Sequence, residues 1–427
     1  MSAHHGNVVP APVSVGVDRP LRRGCLWLGS LAAAYVAAFA FYPRLFFAIG
    51  VNHYDAWFLD TFALLASNDA VSRGLDPYAP NPLDYFHRPH VYSHWWLHLR
   101  DLGLTRADVM WLGLTLAGAF LAAALWRLRP QSLRQLLWYA VVLCSSPVLL
   151  ALDRGNNDLA IFVLLTPVVP CLLSGRPAWR LAAPFLVTAA AMLKYYPAAA
   201  ALVLLAVPDA RELRSRLVLT LLLLLFAGLS VAGDLVGFGA LAPQPEGLLS
   251  FGATSFFNDL GWTGWAPKLL CAMAGLAAAA YFWWRHPLQD WEPPPAQRSD
   301  WLYFILGAAL LTGCFFTSPN FGYRLIFTVW LAPLLWGLAR DAESPARLRR
   351  LARSTVGLLL IVLWWGPLAS AILYRLIGIA SHATVMSLAN WFFLAEQPLD
   401  WAFFLCLLVF LTHFARGRLA TLTRGQG

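Results

Sequence analysis

"LAAPFLVTAAAMLKYYPAAAALVLLAV", residues 181–207, decides how often this chain crosses a bilayer. As one helix it holds 27 residues with Lys194 and Pro197 in its middle, and it sets Arg211, Arg214 and Arg216 opposite Arg176 and Arg180. Every later loop then inverts as well. If the chain turns back near "KYYP", two short elements result, 181–193 and 197–207. They are roughly 20 and 17 Å long against a hydrocarbon core of about 30 Å.

The rest of the chain makes this a question about membranes. Of 427 residues 59% are hydrophobic and 12% charged, and apolar runs long enough to span a bilayer recur throughout. The expected fold is an all-α polytopic membrane protein without a soluble domain. The run from Cys25 to Tyr42 follows basic residues, as in a signal peptide, but is too long for one and reads as an uncleaved first helix. Further apolar segments lie at 107–126, 135–150, 159–173, 217–235, 265–284, 301–317, 325–339, 354–374 and 398–414. With a hairpin at "KYYP" this gives about twelve transmembrane segments. Residues 1–24 and 415–427 are then cytoplasmic tails, 25–414 one membrane domain, and 51–106 a large external loop.

That topology sorts the basic residues. Of the 31 lysines and arginines, 21 fall on the cytoplasmic side, so the net charge of +9 follows from orientation in a plasma membrane and needs no nucleic acid. The six cysteines sit in or beside apolar runs with no CxxC spacing and read as core residues.

On the outer side, "LDRGNNDLAIF" (152–162) packs Asp153, Arg154, Asn156, Asn157 and Asp158 between two marginally short apolar runs. Polar groups sunk this deep are tolerable where protein buries them or where they line a wet cavity. Asn156, Asn157 and Asp158 are therefore expected to line an outward-facing cavity. In the 51–106 loop, apolar positions between Trp57 and Val71 recur at helical spacing, which predicts an amphipathic helix lying on the outer interface. Asp60 shares a face with Trp57, Ala63 and Leu64, and a carboxylate turned to an apolar surface needs a partner or a task.

Asp60 fourteen residues before "GLDPY", "RGNND" at 154–158 and "KYYP" at 194–197 together resemble the polyprenyl-phosphate-sugar-dependent glycosyltransferases of GT-C architecture. The closest group is glycosyltransferase family 87, whose known members are mannosyltransferases. The resemblance implies transfer of a hexose from a polyprenyl-phosphate donor to a lipid or glycan acceptor at the outer face, with inversion. It carries the family's loop acid onto Asp60, with Asp55 as the nearby rival. Such a donor already has a good leaving group, so one carboxylate base and phosphate-binding cations suffice. Arg154, Lys194 and Arg324 are the expected phosphate ligands. His90, Tyr195 and Asn320 are expected around the substrate.

Other readings stay open for several residues. Lys194, one of only two lysines, is either functional or a snorkelling residue at a helix end, and Arg324 in "SPNFGYR" is either a ligand or an interfacial anchor. In "HRPHVYSHWWLH", His90, His94 and His98 would share one face of an α-helix, but no positioned acid accompanies them and no Asp-x-Asp occurs. The expectation is a metal-independent enzyme without cofactor. Two alternatives share the compartment: a transporter or flippase for a lipid-linked sugar, against which stands the lack of an internal repeat, and a lipid-linked glycan ligase or polymerase.

Overall fold

The computed structural model describes residues 19–424 except 52, 55, 207–209, 235–244, 246–249, 289–290, 378 and 380. It is a helical bundle with one two-residue β-ladder, Ser250–Phe251 antiparallel to Asn320–Phe321. Seven helices among the described residues are long and apolar enough to cross a membrane, and two bent pairs raise this to nine. The fold is that of a multi-pass membrane protein. Outward-facing leucines and phenylalanines such as Leu221, Leu225 and Phe226 are exposed, as lipid-facing side chains are.

The 181–207 segment breaks where its proline requires. Helix Pro177–Leu193 ends with Lys194 in extended conformation, and a 3-10 helix, Tyr196–Leu205, follows and packs back against it. Pro197 has no N–H for the Leu193 carbonyl four residues earlier. That carbonyl instead accepts the Trp96 indole N–H at 3.0 Å, which ties the external loop to the break. The remaining expected segments also map onto helices, with Asp158–Leu173 a third short one. The two bends, 51° between Leu133–Leu143 and Ser146–Arg154 and 55° between Gly322–Trp330 and Ala332–Arg340, both carry proline at the second residue of the second helix, Pro147 and Pro333. The last helix departs from expectation. It begins at His382 rather than 398 and runs to Arg424.

Arg298–Thr317 is apolar on all sides and forms the axis of the bundle. It packs on Tyr196–Leu205, Gly322–Trp330, Trp265–Arg285 and His382–Arg424. One continuous core extends from Leu28 to Phe414, with close ring stacks at Phe315–Phe404 (4.0 Å) and Phe162–Trp330 (4.4 Å). Loops gather at two ends. At one, Gly24 lies on Pro130, Arg127 pairs with Asp300, Arg180 with Glu212, and Arg416 reaches the Trp283 carbonyl. At the other, Asp60 meets Asn156, Lys194 meets Asp158, and His94 meets Asp234.

Candidate functional site

Helix Leu59–Ser72 carries Asp60 and docks on the 153–157 turn through backbone-level contacts. The Phe58 N–H bonds the Asp153 carbonyl at 2.8 Å, and the Thr61 hydroxyl donates to the Gly155 carbonyl at 2.6 Å. Gly155 has a φ of +53°, and a Cβ there would lie 2.5 Å from Thr61 Oγ1. Glycine is therefore the side chain that this contact permits. Phe58, itself left-handed at φ 58°, fills the space left open at Gly113.

The docking brings Asp60 to Asn156. The Asn156 amide donates to Asp60 Oδ2 at 2.6 Å, which leaves Oδ1 facing the Arg88 guanidinium at 3.6 Å. Arg88 is held as a fork: Nε and one terminal nitrogen donate to Asp84 at 2.9 Å each, and that nitrogen also reaches the Leu59 carbonyl at 3.0 Å. Burial pushes the Asp84 carboxyl up, but the Arg88 hydrogen bonds and charge outweigh it and hold the group below the usual carboxylate range. For Arg88, burial lowers the guanidinium, and the Asp84 hydrogen bonds with the Asp84 and Asp60 charges raise it above its ordinary value. Arg106 completes the bracing of this loop by bonding Asp69 at 2.7 Å and the Leu83 carbonyl at 2.9 Å.

Asp60, Arg88 and Arg154 line one cavity of about 580 Å³. Arg154 lies with its guanidinium 4.7 Å from the Tyr54 ring centre, and its Nε has no acceptor among the described residues. The walls between are apolar or aromatic, among them Val51, Leu150, Tyr92, Tyr323 and Val362. On the far side Glu396 and Asp400 of the last helix reach the same space. A second hollow of about 610 Å³ at the other end of the bundle, around Trp27 and Pro130, is lined by no titratable side chain. Of these two hollows, the first is the one lined by charged side chains.

Several residues expected at the cavity lie one layer behind it. Asn156, Asn157, Asp158, His90, Tyr195 and Asn320 do not line it, and neither do Lys194 and Arg324. The cause is pairing. Lys194 Nζ is 2.5 Å from Asp158 Oδ1 and 3.4 Å from Asn156 Oδ1, Tyr196 donates to Asp158 at 2.7 Å, and Arg324 Nε is 3.8 Å from Asp158 Oδ2 and bonds Asn320 through another nitrogen. Two cations thus share one fully buried carboxylate, and the layer carries an excess positive charge. The Tyr92 and Tyr323 rings, which face the cavity, are 5.7 and 5.8 Å from Lys194 Nζ. Asn156 joins the layers by giving its amide N–H to Asp60 and its oxygen to Lys194. Asp153 is bonded instead to His53 at 2.7 Å, and the Asn157 amide and Tyr195 hydroxyl are buried without partners among the described residues. Asp55 lies outside the described residues.

The three histidines do not share a face. Ser93 caps a 3-10 helix, His94–Leu102, so His90 stands before it with its ring on the Ser93 carbonyl while His94 turns to Asp234 and His98 to Asp101. Among the described residues no group of three histidines, cysteines or acids converges. Burial pushes the His90 imidazole down to about 4, against the opposing hydrogen bond to Ser93 and charge of Asp234.

Arg88, Glu396 and Asp400 escaped the sequence reading. For Arg88 the signal was a basic residue between His87 and Pro89 in a loop full of acids; for the other two it was a pair of acids four apart inside an apolar helix. No protein family, curated protein or solved structure matches this chain significantly.

Proposed function

We propose that the protein is a membrane glycosyltransferase of the GT-C type that moves a hexose, mannose by resemblance, from a polyprenyl-phosphate donor to a hydroxyl of a lipid or glycan acceptor. The observation that carries this reading is one cavity holding a carboxylate whose Oδ1 meets only the Arg88 guanidinium at 3.6 Å among the described residues, two arginines and a long apolar wall. Asp60 is the base. With Oδ2 fixed by Asn156, Oδ1 takes the proton of the acceptor hydroxyl while its oxygen attacks the anomeric carbon. The bond to phosphate breaks, and polyprenyl phosphate leaves with the electron pair and with inversion at carbon. Arg88 and Arg154 bind the phosphate, and the buried excess charge of Lys194 and Arg324 around Asp158 adds a positive field through the tyrosine rings. The apolar walls accept the isoprenoid chain.

The topology proposed with it has twelve crossings, cytoplasmic termini and the cavity on the outer side of a plasma membrane, with Leu59–Ser72 near the outer interface. The sorting of loop contacts supports it: among the described residues Arg127 pairs with Asp300 and Arg180 with Glu212 at the end expected inside, and Asn156 with Asp60 and Lys194 with Asp158 at the end expected outside. A requirement for metal or cofactor is not part of the proposal.

The test is purified protein with a panel of radiolabelled polyprenyl-phosphate sugars and host lipid extract, in wild type and Asp60→Asn. Turnover is expected to fall by roughly 10²–10⁴ while donor binding persists, because the amide keeps the shape and loses proton acceptance. Asp55→Asn is expected to be milder. Near-normal transfer in Asp60→Asn with loss in Asp55→Asn moves the base upstream. Transfer from a nucleotide sugar alone refutes the donor class, and movement of a lipid-linked sugar across the membrane without transfer replaces the enzyme with a carrier.

A further inference from the structure

Glu396 and Asp400 sit four residues apart on the last helix, on either side of Pro398, 7% and 2% exposed. That spacing sets their Cβ atoms about 6 Å apart on one helix face. Both line the cavity that holds Asp60. Among the described residues Glu396 Oε2 is enclosed without a hydrogen-bond partner and no cation pairs with either carboxyl group. A buried carboxyl oxygen without a partner is costly, and what fills the cavity can supply the partner.

The transfer step leaves these groups unused, since the base and the phosphate ligands lie on the other wall. We infer that Glu396 and Asp400 form a hydroxyl-binding subsite that accepts hydrogen bonds from neighbouring hydroxyls of a sugar or cyclitol ring. Three features select that chemistry. A carboxyl group matches a vicinal diol, taking one O–H on each oxygen. The wall beside the acids, Val362 and Pro367, is apolar and suits the C–H face of a ring. The cavity is also asymmetric, with Arg88 and Arg154 lining it together with the two acids, which pair with no cation among the described residues, so an anionic phosphate is drawn to the arginines. The subsite is thus reserved for the uncharged, hydroxylated part of a ligand. Whether that ring belongs to the donor's glycosyl group or to the acceptor rests on the transferase reading; the binding chemistry itself does not.

The test uses the full chain in lipid nanodiscs and two tritiated probes below their micellar concentrations: octyl α-D-mannopyranoside and its 3,4-dideoxy analogue. Wild type is expected to bind the mannoside at least tenfold more tightly, the size of a lost pair of hydrogen bonds to a carboxylate. Glu396→Gln or Asp400→Asn is expected to cut that ratio below about threefold while polyprenyl-phosphate binding, which belongs to the arginines, persists. Equal binding of the two probes by wild type overturns the inference and needs no variant that has to fold. An undiminished ratio in both variants overturns it as well. In turnover, a KM rise for the donor in Glu396→Gln assigns the ring to the donor, and a rise for the acceptor assigns it there. Hydroxyl-selective binding in a protein that consumes no lipid-linked donor sinks the transferase and keeps the subsite. Transfer with probe ratios unchanged in both variants does the reverse.

Discussion

Removing Lys194 should harm the fold, and removing it a second time, from a protein that already lacks Asp158, should help. The arrangement is two cations on one buried carboxylate: Lys194 at 2.5 Å and Arg324 at 3.8 Å from Asp158, with the Tyr196 hydroxyl at 2.7 Å. Lys194→Met leaves Asp158 balanced by Arg324, so the loss falls at or below the lower end of the range for a broken buried pair, about 2–3 kcal/mol. Asp158→Asn leaves both cations without an acid. Two such charges held roughly 6 Å apart repel by about 3 kcal/mol at an effective dielectric near 20, which adds to the lost attraction and makes this the worse single change, at about 5 kcal/mol. Adding Lys194→Met to Asp158→Asn then relieves that repulsion and restores about 2 kcal/mol. The measurement is thermal melting of detergent-purified protein by intrinsic fluorescence of its 20 tryptophans, read as a double-mutant cycle. The reasoning fails if the double variant melts below Asp158→Asn, or if the two single effects add to within about 0.5 kcal/mol.

Gly155→Ala should destabilise by about 2–4 kcal/mol and depress transfer more than donor binding, since its Cβ meets Thr61 Oγ1 at 2.5 Å and pushes away the helix that carries Asp60; melting and initial rates test it, and wild-type values of both refute it. His90 is held neutral by a folded-state value of about 4, below its ordinary 6.5. The unfolded chain therefore binds the proton first, so up to about 3 kcal/mol of stability is present above pH 6.5 and is lost as pH falls toward 4. Melting across that window should slope downward, and His90→Asn should flatten it. Reporter fusions at residue 85 and after residue 427 should read external and cytoplasmic respectively; an active cytoplasmic reporter at 85 overturns the proposed orientation.

The break in 181–207 was legible because a single residue causes it: Pro197 removes one donor, and lysine and two tyrosines supply polarity where the helix stops. "DRGNND" was legible as buried polarity for the same local reason, a charged turn between elements too short to carry it to a surface. What it bonds to was not. Asp158 and Lys194 stand 36 residues apart, and either could have faced a ligand instead of each other. The histidine stripe misled because i, i+4, i+8 spacing presumes an α-helix, while Ser93 opens a 3-10 helix after His90 has already turned away. Glu396 was hidden by a boundary placed at Pro398, which the helix in fact carries within it, whereas Asp400 lay inside the expected 398–414 segment and was passed over.

A division of labour between two polar layers explains why so much charge is spent in an oily chain. The lower layer, Asp158 with Lys194, Arg324, Tyr196 and Asn320, is bonded mainly within itself, although Asp158 Oδ2 and Arg324 Nε find no hydrogen bond among the described residues, and its members do not line the cavity. Its members come from four separate elements, so it fixes how those elements meet. The upper layer is left more open: Arg88 uses two nitrogens on Asp84 and offers the third to Asp60, and among the described residues Arg154 has a nitrogen without acceptor and Glu396 an oxygen without donor. Asn156 is the sole described side chain hydrogen-bonded to both Asp60 and Lys194. A ligand that bonds Asp60 therefore meets a carboxylate that Asn156 ties to the Lys194–Asp158 pair. Rigidity below and unmet valence above are what a site needs if it is to bind a charged lipid without letting its own helices rearrange around it.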